Sequence, residues 1–226
     1  TPSNSSAASD VYKRQTLGFP TESMSVEMYD KWCNMGFRRS GKFLYKTDIL
    51  RNCCRLYTIR TTPDDVQVSK DLKKTLKRFK RQILEGQERR ENSTAKNNSG
   101  LEFDYMKEII AAESESNHFK TVFEPAIFSQ EKYDLFVRYQ ENIHKDFKNS
   151  EKSFKSFLCD SPFSEETIMG TEEEWDQLNN WRKMGRTEKL KRLGPTHECY
   201  YYKNKLIAIA VTDFLPTGIS SVYFIW

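Results

Sequence analysis

An α+β fold is predicted for this sequence. Runs with period-two alternation sit beside runs whose apolar residues recur at helical spacing. The last quarter holds three apolar, strand-like runs divided by turn signals. Fifteen Phe, 11 Tyr and 4 Trp offer a large aromatic area for burial, although the apolar fraction is only 37%, below the ~45–50% usual for globular chains.

The elements follow in chain order. Residues 1–15 (TPSNSSAASDVYKRQ) are small, polar and aperiodic, and are expected to be disordered or foreign to the fold. Residues 25–35 place Val26, Met28, Tyr29, Trp32, Cys33 and Met35 near helical spacing, and Gly36 falls where a C-terminal cap belongs. Residues 37–45 alternate as strand around Ser40-Gly41, and residues 52–60 (NCCRLYTIR) read as another strand. From Ser69, a plausible N-cap, Leu72, Leu76, Phe79 and Ile83 mark one helical face. Residues 86–100 form a polar linker, and 101–115 a short helix that dissolves from Glu113. The domain boundary is therefore expected within 86–117, between a domain over 16–85 and a domain over 118–226.

The second domain opens with a strand over 118–124, closed by Pro125. A helix from Ser129 presents Tyr133, Phe136, Val137, Gln140, Ile143 and Phe147 on one side, and 153–158 forms a short helix or turn. Residues 172–193 read as one charged helix anchored by Trp175, Leu178, Trp181 and Leu190. Strands are expected over 199–202, 206–214 and 220–226, with turns at Lys203-Asn204-Lys205 and Pro216-Thr217-Gly218. The chain starts without Met and stops inside SSVYFIW, so a fragment is expected.

Composition bounds the function. The net charge is +4 (36 basic, 32 acidic), which neither demands nor excludes nucleic acid. No apolar run approaches the ~20 residues of a membrane-spanning helix. Five Cys, odd and sparse, do not read as a disulfide framework, so a cytoplasmic or nuclear setting is expected. No GxGxxG, Walker loop, HExxH or nucleophile elbow occurs.

Several clusters carry chemistry. The adjacent thiols of Cys53 and Cys54 suit one soft metal if other ligands join them, with Cys33 within reach in sequence; equally, they are small buried residues. Lys70, Lys73, Lys74, Lys77, Arg78, Lys80 and Arg81 crowd twelve residues holding one acid, Asp71. Such a helix buries its Leu/Phe face and aims cations at a phosphate backbone or simply at solvent. Arg38, Arg39 and Lys42 cluster on a hairpin, where Arg forks suit carboxylates and phosphates. His144 and Asp146, at i and i+2, share no helix face. Asp213 ends a long apolar strand, where it either caps a turn or faces a ligand, and His197-Glu198 precedes another strand.

The runs GFRRSGKFLYK (36–46), CCRLYTIR (53–60) and SKDLKKTLKRFKR (69–81) resemble the N-terminal part of the arginyl-tRNA–protein transferases, the arginyltransferases of the N-degron pathway. FSQEKYDLFVRYQENIHKD (128–146), FKSFLCDSPF (154–163) and YKNKLIAIAVTDFLPTGISSVYFIW (202–226) are similar to their catalytic part, with a fungal, yeast-type wording. The resemblance implies a small α+β metal-type domain followed by an incomplete acetyltransferase-superfamily (GNAT-like) domain with antiparallel strands. It implies transfer of arginine from arginyl-tRNA to the α-amino group of proteins beginning with Asp, Glu or oxidised Cys, which ubiquitin ligases then recognise. It also implies zinc or an iron–sulfur cluster. Cys53 and Cys54 match the family's Cys pair, but the CxxC that supplies the other two ligands is absent upstream, leaving half a site.

Chemistry then distributes the roles. The aminoacyl ester is already activated, so transfer needs a neutral amine, a correct approach and a stabilised oxyanion. An acidic acceptor needs cations: Arg38, Arg39, Lys42 and Arg60. The donor's guanidinium needs a carboxylate: Asp213 first, in the family-like TDFLP run, then Glu198, with His197 beside it as a further catalytic candidate. The tRNA needs phosphate contacts: Lys70, Lys73, Lys74, Lys77, Lys80 and Arg81. Two other readings are a non-catalytic RNA-binding or adaptor protein of the same fold and a metal–thiolate sensor.

Overall fold

A computed structural model of the chain describes residues 16–51, 57–62, 67–85, 103–185 and 188–226. The chain divides into two compact units. The larger comprises Thr1–Ile59, Val122–Cys199 and Leu206–Trp226; the smaller comprises Arg60–Thr121 and Tyr200–Lys205. The expected domain over 16–85 is thus shared between them, its strands in the larger unit and its basic helix in the smaller.

In the larger unit, β1 (Thr16–Pro20), α1 (Val26–Asn34), β2 (Arg38–Ser40) and β3 (Phe43–Thr47) come first. The strands form an antiparallel sheet in the order β1-β3-β2. β1 was not anticipated, since TLGFP is short and ends on Pro. Ser25 caps α1 by accepting from the Met28 N–H at 3.2 Å. α1 then buries Val26 and Tyr29 against Leu44 of β3, Phe163 and Leu215, with Phe19 and Trp32 packed around them. The hairpin turns at Gly41, whose φ is +57°. A Cβ there would stand 2.2 Å from the Ser156 carbonyl, so only glycine lets the hairpin close on that segment.

Residues 57–60 form no strand, against expectation; Tyr57 and Ile59 are 65% and 88% exposed, and 52–56 lie outside the described residues. β1 and β2 already flank β3, and alternation alone supplies no partner strand.

β4 (Phe119–Pro125), β5 (Gly194–Tyr202), β6 (Lys205–Leu215) and β7 (Gly218–Ile225) form a four-stranded sheet in that order. β5 begins five residues before Cys199, through a Gly-Pro pair that reads as punctuation in the sequence. Lys203 and Asn204 both take positive φ at the β5–β6 turn, the conformation of a tight hairpin. β6 and β7 pair antiparallel, with an irregularity at Val211/Thr212.

α4 (Gln130–Tyr139) starts at the Ser129 cap and continues as a wide π turn over Gln140–His144. Of the expected side Phe136 is buried and Tyr133, Val137 and Gln140 are half-buried, while Ile143 and Phe147 are exposed; Lys132, Leu135 and Tyr139 complete the buried side. α5 (Glu151–Phe154) and a second π turn (Lys155–Cys159) follow, with Phe154 fully buried against Phe128, Tyr133 and Phe136. α6 (Glu165–Met169) is an addition to the expected elements.

The helix expected over 172–193 is shorter. α7 spans Glu172–Asn179, and a 3-10 turn spans Trp181–Lys183. The chain then doubles back: the Gln177 side chain donates to the Lys189 carbonyl and accepts from the Lys191 N–H. Leu190 therefore joins Trp175, Leu178 and Trp181 around Phe123 and Phe214 by this return, not by helical spacing.

In the smaller unit, α2 (Lys70–Ile83) is capped by Ser69 and buries Leu76 and Ile83. Its Phe79 packs edge-on against Phe119, and Ala112 of α3 (Tyr105–Glu115) completes the cluster. α3 runs past Glu113, where the sequence suggested fraying. The Glu113 carboxylate accepts from the Thr121 hydroxyl, and Ser116 donates to the Ile83 carbonyl at 2.6 Å.

Candidate functional site

Two residues named for different roles bind each other. Arg39 of β2 donates from Nε to Asp213 Oδ2 at 2.8 Å and from Nη2 to Oδ1 at 2.7 Å. Their side chains are 2% and 0% exposed. Burial alone would lower the Arg39 pKa, but the Asp213 charge and its hydrogen bonds outweigh that and raise it. Arg39 Nη1 also donates to the Gly41 and Asp160 carbonyls. Asp213 was expected to present its carboxylate to a ligand's guanidinium; both its oxygens are instead taken by Arg39. Likewise, Arg39 spends its fork on Asp213. The sequence contained the right kind of fork, but not the pairing between residues 174 positions apart.

His197 of β5 is fully buried, and its Nε2 lies 3.0 Å from the Leu158 carbonyl. A carbonyl only accepts, so Nε2 carries the proton. Desolvation first, then the charges of Lys132 and Arg39, push its pKa down to about 3. Glu198, the next residue, points to the opposite face of β5, where its charge partly offsets the effect of burial on Arg182. His197 and Glu198 therefore do not converge on one reacting group.

This burial makes a pH prediction. Between His197's depressed folded pKa and the ordinary value of 6.5, the unfolded chain binds a proton that the folded chain refuses. Stability should fall as pH drops below 6.5, with His197 contributing up to about 1.4 kcal/mol per pH unit. In urea unfolding from pH 7 to 4, His197→Gln should show a shallower fall than the parent chain. An equal slope would contradict the assignment.

Arg38 sits differently from Arg39. It lines a cleft of about 370 Å³ in the larger unit, with Tyr29, Arg39, Tyr45, Ser220 and Ser221. Its Nη1 donates to the Phe37 carbonyl at 2.6 Å and the Cys33 carbonyl at 3.2 Å, which fixes the fork. Tyr29 Oη and Ser220 Oγ are buried with no nitrogen or oxygen partner among the described residues, and the Cys33 thiol lies beside both. Neither residue was singled out in the sequence, where a hydroxyl on an apolar face carries no signal. Lys42 pairs with Glu22 at the surface, a contact of little energetic weight. Arg60 is exposed and belongs to the smaller unit. The ion pair of Lys132 with Glu124, at 2.6 Å, was also missed, because both residues read as solvent-facing charges.

On α2, the predicted phosphate contacts divide. Lys80 pairs with Glu108 at 2.5 Å, and Lys73 Nζ lies 4.9 Å from the Phe103 ring centroid. Lys73, Lys77 and Lys80 are therefore not one free face: the neighbouring aromatic and acid draw two of them sideways. Lys70, Lys77 and Arg81 make no ion pair among the described residues, and Lys74 meets only exposed Asp71, at 3.5 Å. Cys53 and Cys54 lie outside the described residues.

Comparison with known proteins converges on one description. Residues 8–74 match the family model for the N terminus of arginine-tRNA-protein transferase, and residues 131–226 match the model for its C terminus. Over 211 residues the chain is 56% identical to arginyl-tRNA–protein transferase 1 of Saccharomyces cerevisiae, covering 93% of this chain and 41% of that protein. It is 28% identical over 208 residues to aspartate/glutamate leucyltransferase of Pseudomonas fluorescens, covering 90% of this chain and 59% of that protein. A shorter match, 35% over 103 residues, reaches arginyl-tRNA–protein transferase 2 of Arabidopsis thaliana. The chain thus spans less than two thirds of each of these relatives.

Proposed function

The chain belongs to the arginine-tRNA-protein transferase family, and from that premise we propose that it transfers arginine from arginyl-tRNA to the N-terminal amine of proteins beginning with an acidic residue. Asp, Glu and oxidised Cys are the acceptors proposed, and ubiquitin-dependent degradation in the cytoplasm or nucleus is the proposed outcome. The observation that carries the acceptor class is the hydroxyl-lined cleft that holds Arg38, whose nearby carboxylate, Asp213, is neutralised by Arg39. A cleft with surplus positive charge favours an acidic side chain. The leucyltransferase relatives are named for aspartate and glutamate, although the amino acid they transfer differs. The overlap proposed with those relatives is therefore at the acceptor end of the reaction.

The α+β architecture with antiparallel β6 and β7 is consistent with an acetyltransferase-superfamily arrangement. Acyl transfer from an activated ester to an amine needs no covalent enzyme intermediate; orientation and oxyanion stabilisation suffice. Glu198 is the other carboxylate proposed from the sequence for the donor's guanidinium. The exposed cations of α2 are the proposed tRNA contacts. Cys53 and Cys54 would supply two thiolates to a zinc ion or iron–sulfur cluster completed by ligands elsewhere; such a centre would tie together the segments that ligate it.

The test is a chimera in which the 211 aligned residues replace their counterpart in the yeast relative. Labelled arginine should pass from arginyl-tRNA to peptides starting with Asp or Glu and not to those starting with Ala. A chimera that melts cooperatively yet transfers nothing, or transfers without regard to the first residue, would overturn the proposal.

A further inference from the structure

We infer that Tyr29 and Ser220, with Arg38, form a carboxylate reader that separates an acidic first residue from its amide. The inference rests on the acceptor reading above and names the groups that would enforce it. Tyr29 is 0% exposed and Ser220 9%, both line the cleft, and the only group beside either hydroxyl among the described residues is the weakly bonding Cys33 thiol. A buried hydroxyl left unsatisfied is costly and uncommon. Two of them in one cleft wall, from α1 and from β7, mark a site built for something that accepts hydrogen bonds.

The chemistry of the wall limits what that is. Burial first, and then the charge of Asp213, push the Tyr29 phenol well above its ordinary pKa, so it keeps its proton and donates. Ser220 can donate as well. Arg38 only donates, and its Nε and Nη2 make no hydrogen bond among the described residues. The carboxylate closest to competing for these donors, Asp213, is held by Arg39. Tyr29, Ser220 and Arg38 thus each offer a proton or positive charge to the cleft, and no carboxylate lines it among the described residues. A carboxylate accepts through two oxygens and satisfies both hydroxyls with Arg38. The corresponding amide turns an NH₂ towards donors and leaves at least one of them unpaired.

The experiment measures affinity of the 226-residue chain for two peptides that differ only in a first residue of Asp or Asn. The parent should prefer Asp by roughly tenfold or more, the worth of hydrogen bonds to a charged group. Tyr29→Phe and Ser220→Ala should each cut that preference, and the double variant should bring the ratio close to one. Tyr29→Phe keeps the ring that packs edge-on against Phe163 at 5.7 Å. Since each variant deletes a hydroxyl whose one neighbour is the weakly bonding Cys33 thiol, the melting temperature should hold or rise. An Asp/Asn ratio unchanged in both variants would overturn the inference and leave the acceptor reading standing. No preference in the parent chain would overturn both. Lower melting temperatures in both variants would assign the hydroxyls to the fold, and a loss of tRNA affinity without loss of peptide affinity would assign them to the donor; either result overturns the inference.

Discussion

Asp213→Asn should destabilise the larger unit by about 3–5 kcal/mol, the range for breaking a buried ion pair from one side. The substitution keeps the shape of the side chain but leaves the Arg39 guanidinium charged, buried and without a counter-charge. From the sequence, the same substitution is expected to spare the fold and act only on transfer. The bidentate bond to Arg39 reverses that expectation. Arg39 also ties the Gly41 turn to the Asp160 carbonyl, so the loss should loosen the hairpin and the 155–160 segment together. Arg39→Ala should do comparable damage by stranding the carboxylate. The double change Arg39→Met with Asp213→Leu should recover most of the loss, because replacing both charges removes the desolvation penalty of each. All four tryptophans, Trp32, Trp175, Trp181 and Trp226, lie in the larger unit. Urea unfolding followed by tryptophan fluorescence therefore reads this unit directly. Single variants as stable as the parent would mean that water or rearrangement compensates the stranded charge.

This pair also shows what the sequence could and could not reveal. Local signals were legible: Ser25, Ser69 and Ser129 cap the helices they were expected to start. The turns at Lys203-Asn204 and before Gly218 fall where their residue types put them. The apolar face of α2 was legible too, because periodicity is a property of one element. Partnership was not. Residues 57–60 alternate like a strand, but that pattern does not supply a neighbour to pair with. Leu190 joins the Trp175 cluster by a return of the chain that depends on Gln177, a residue with no strong local signal. Asp213 was singled out as a charge ending an apolar strand and Arg39 as one of a cluster of cations on a hairpin, and neither signal names the other residue. Only the fold distinguishes a carboxylate awaiting a ligand from one already bound.

The same lesson sharpens the expected result for α2. Replacing Lys70, Lys77 and Arg81 with Gln should weaken tRNA binding and flatten its dependence on salt. These residues stand at i, i+7 and i+11, opposite the buried Leu76 and Ile83, and make no ion pair among the described residues. Each lost phosphate contact should reduce the log–log salt slope by roughly 0.7–0.9, so about 2 for the three together. The cause is that fewer counterions leave the nucleic acid on binding. Lys73→Gln with Lys80→Gln removes two cations as well, but Lys73 lies over Phe103 and Lys80 is paired with Glu108. That pair should change the slope less and instead weaken the packing of α2 on α3. Affinity of the 226-residue chain for tRNA at several salt concentrations, alongside melting temperature, separates the two effects. If the outward triple variant keeps the parent slope, the helix is a solvated face and the phosphates are held elsewhere. If the Lys73/Lys80 variant flattens the slope more, those side chains leave Phe103 and Glu108 when tRNA arrives. Point charges of this kind position a backbone without reading bases. The loss should therefore be the same for any tRNA, charged with arginine or not.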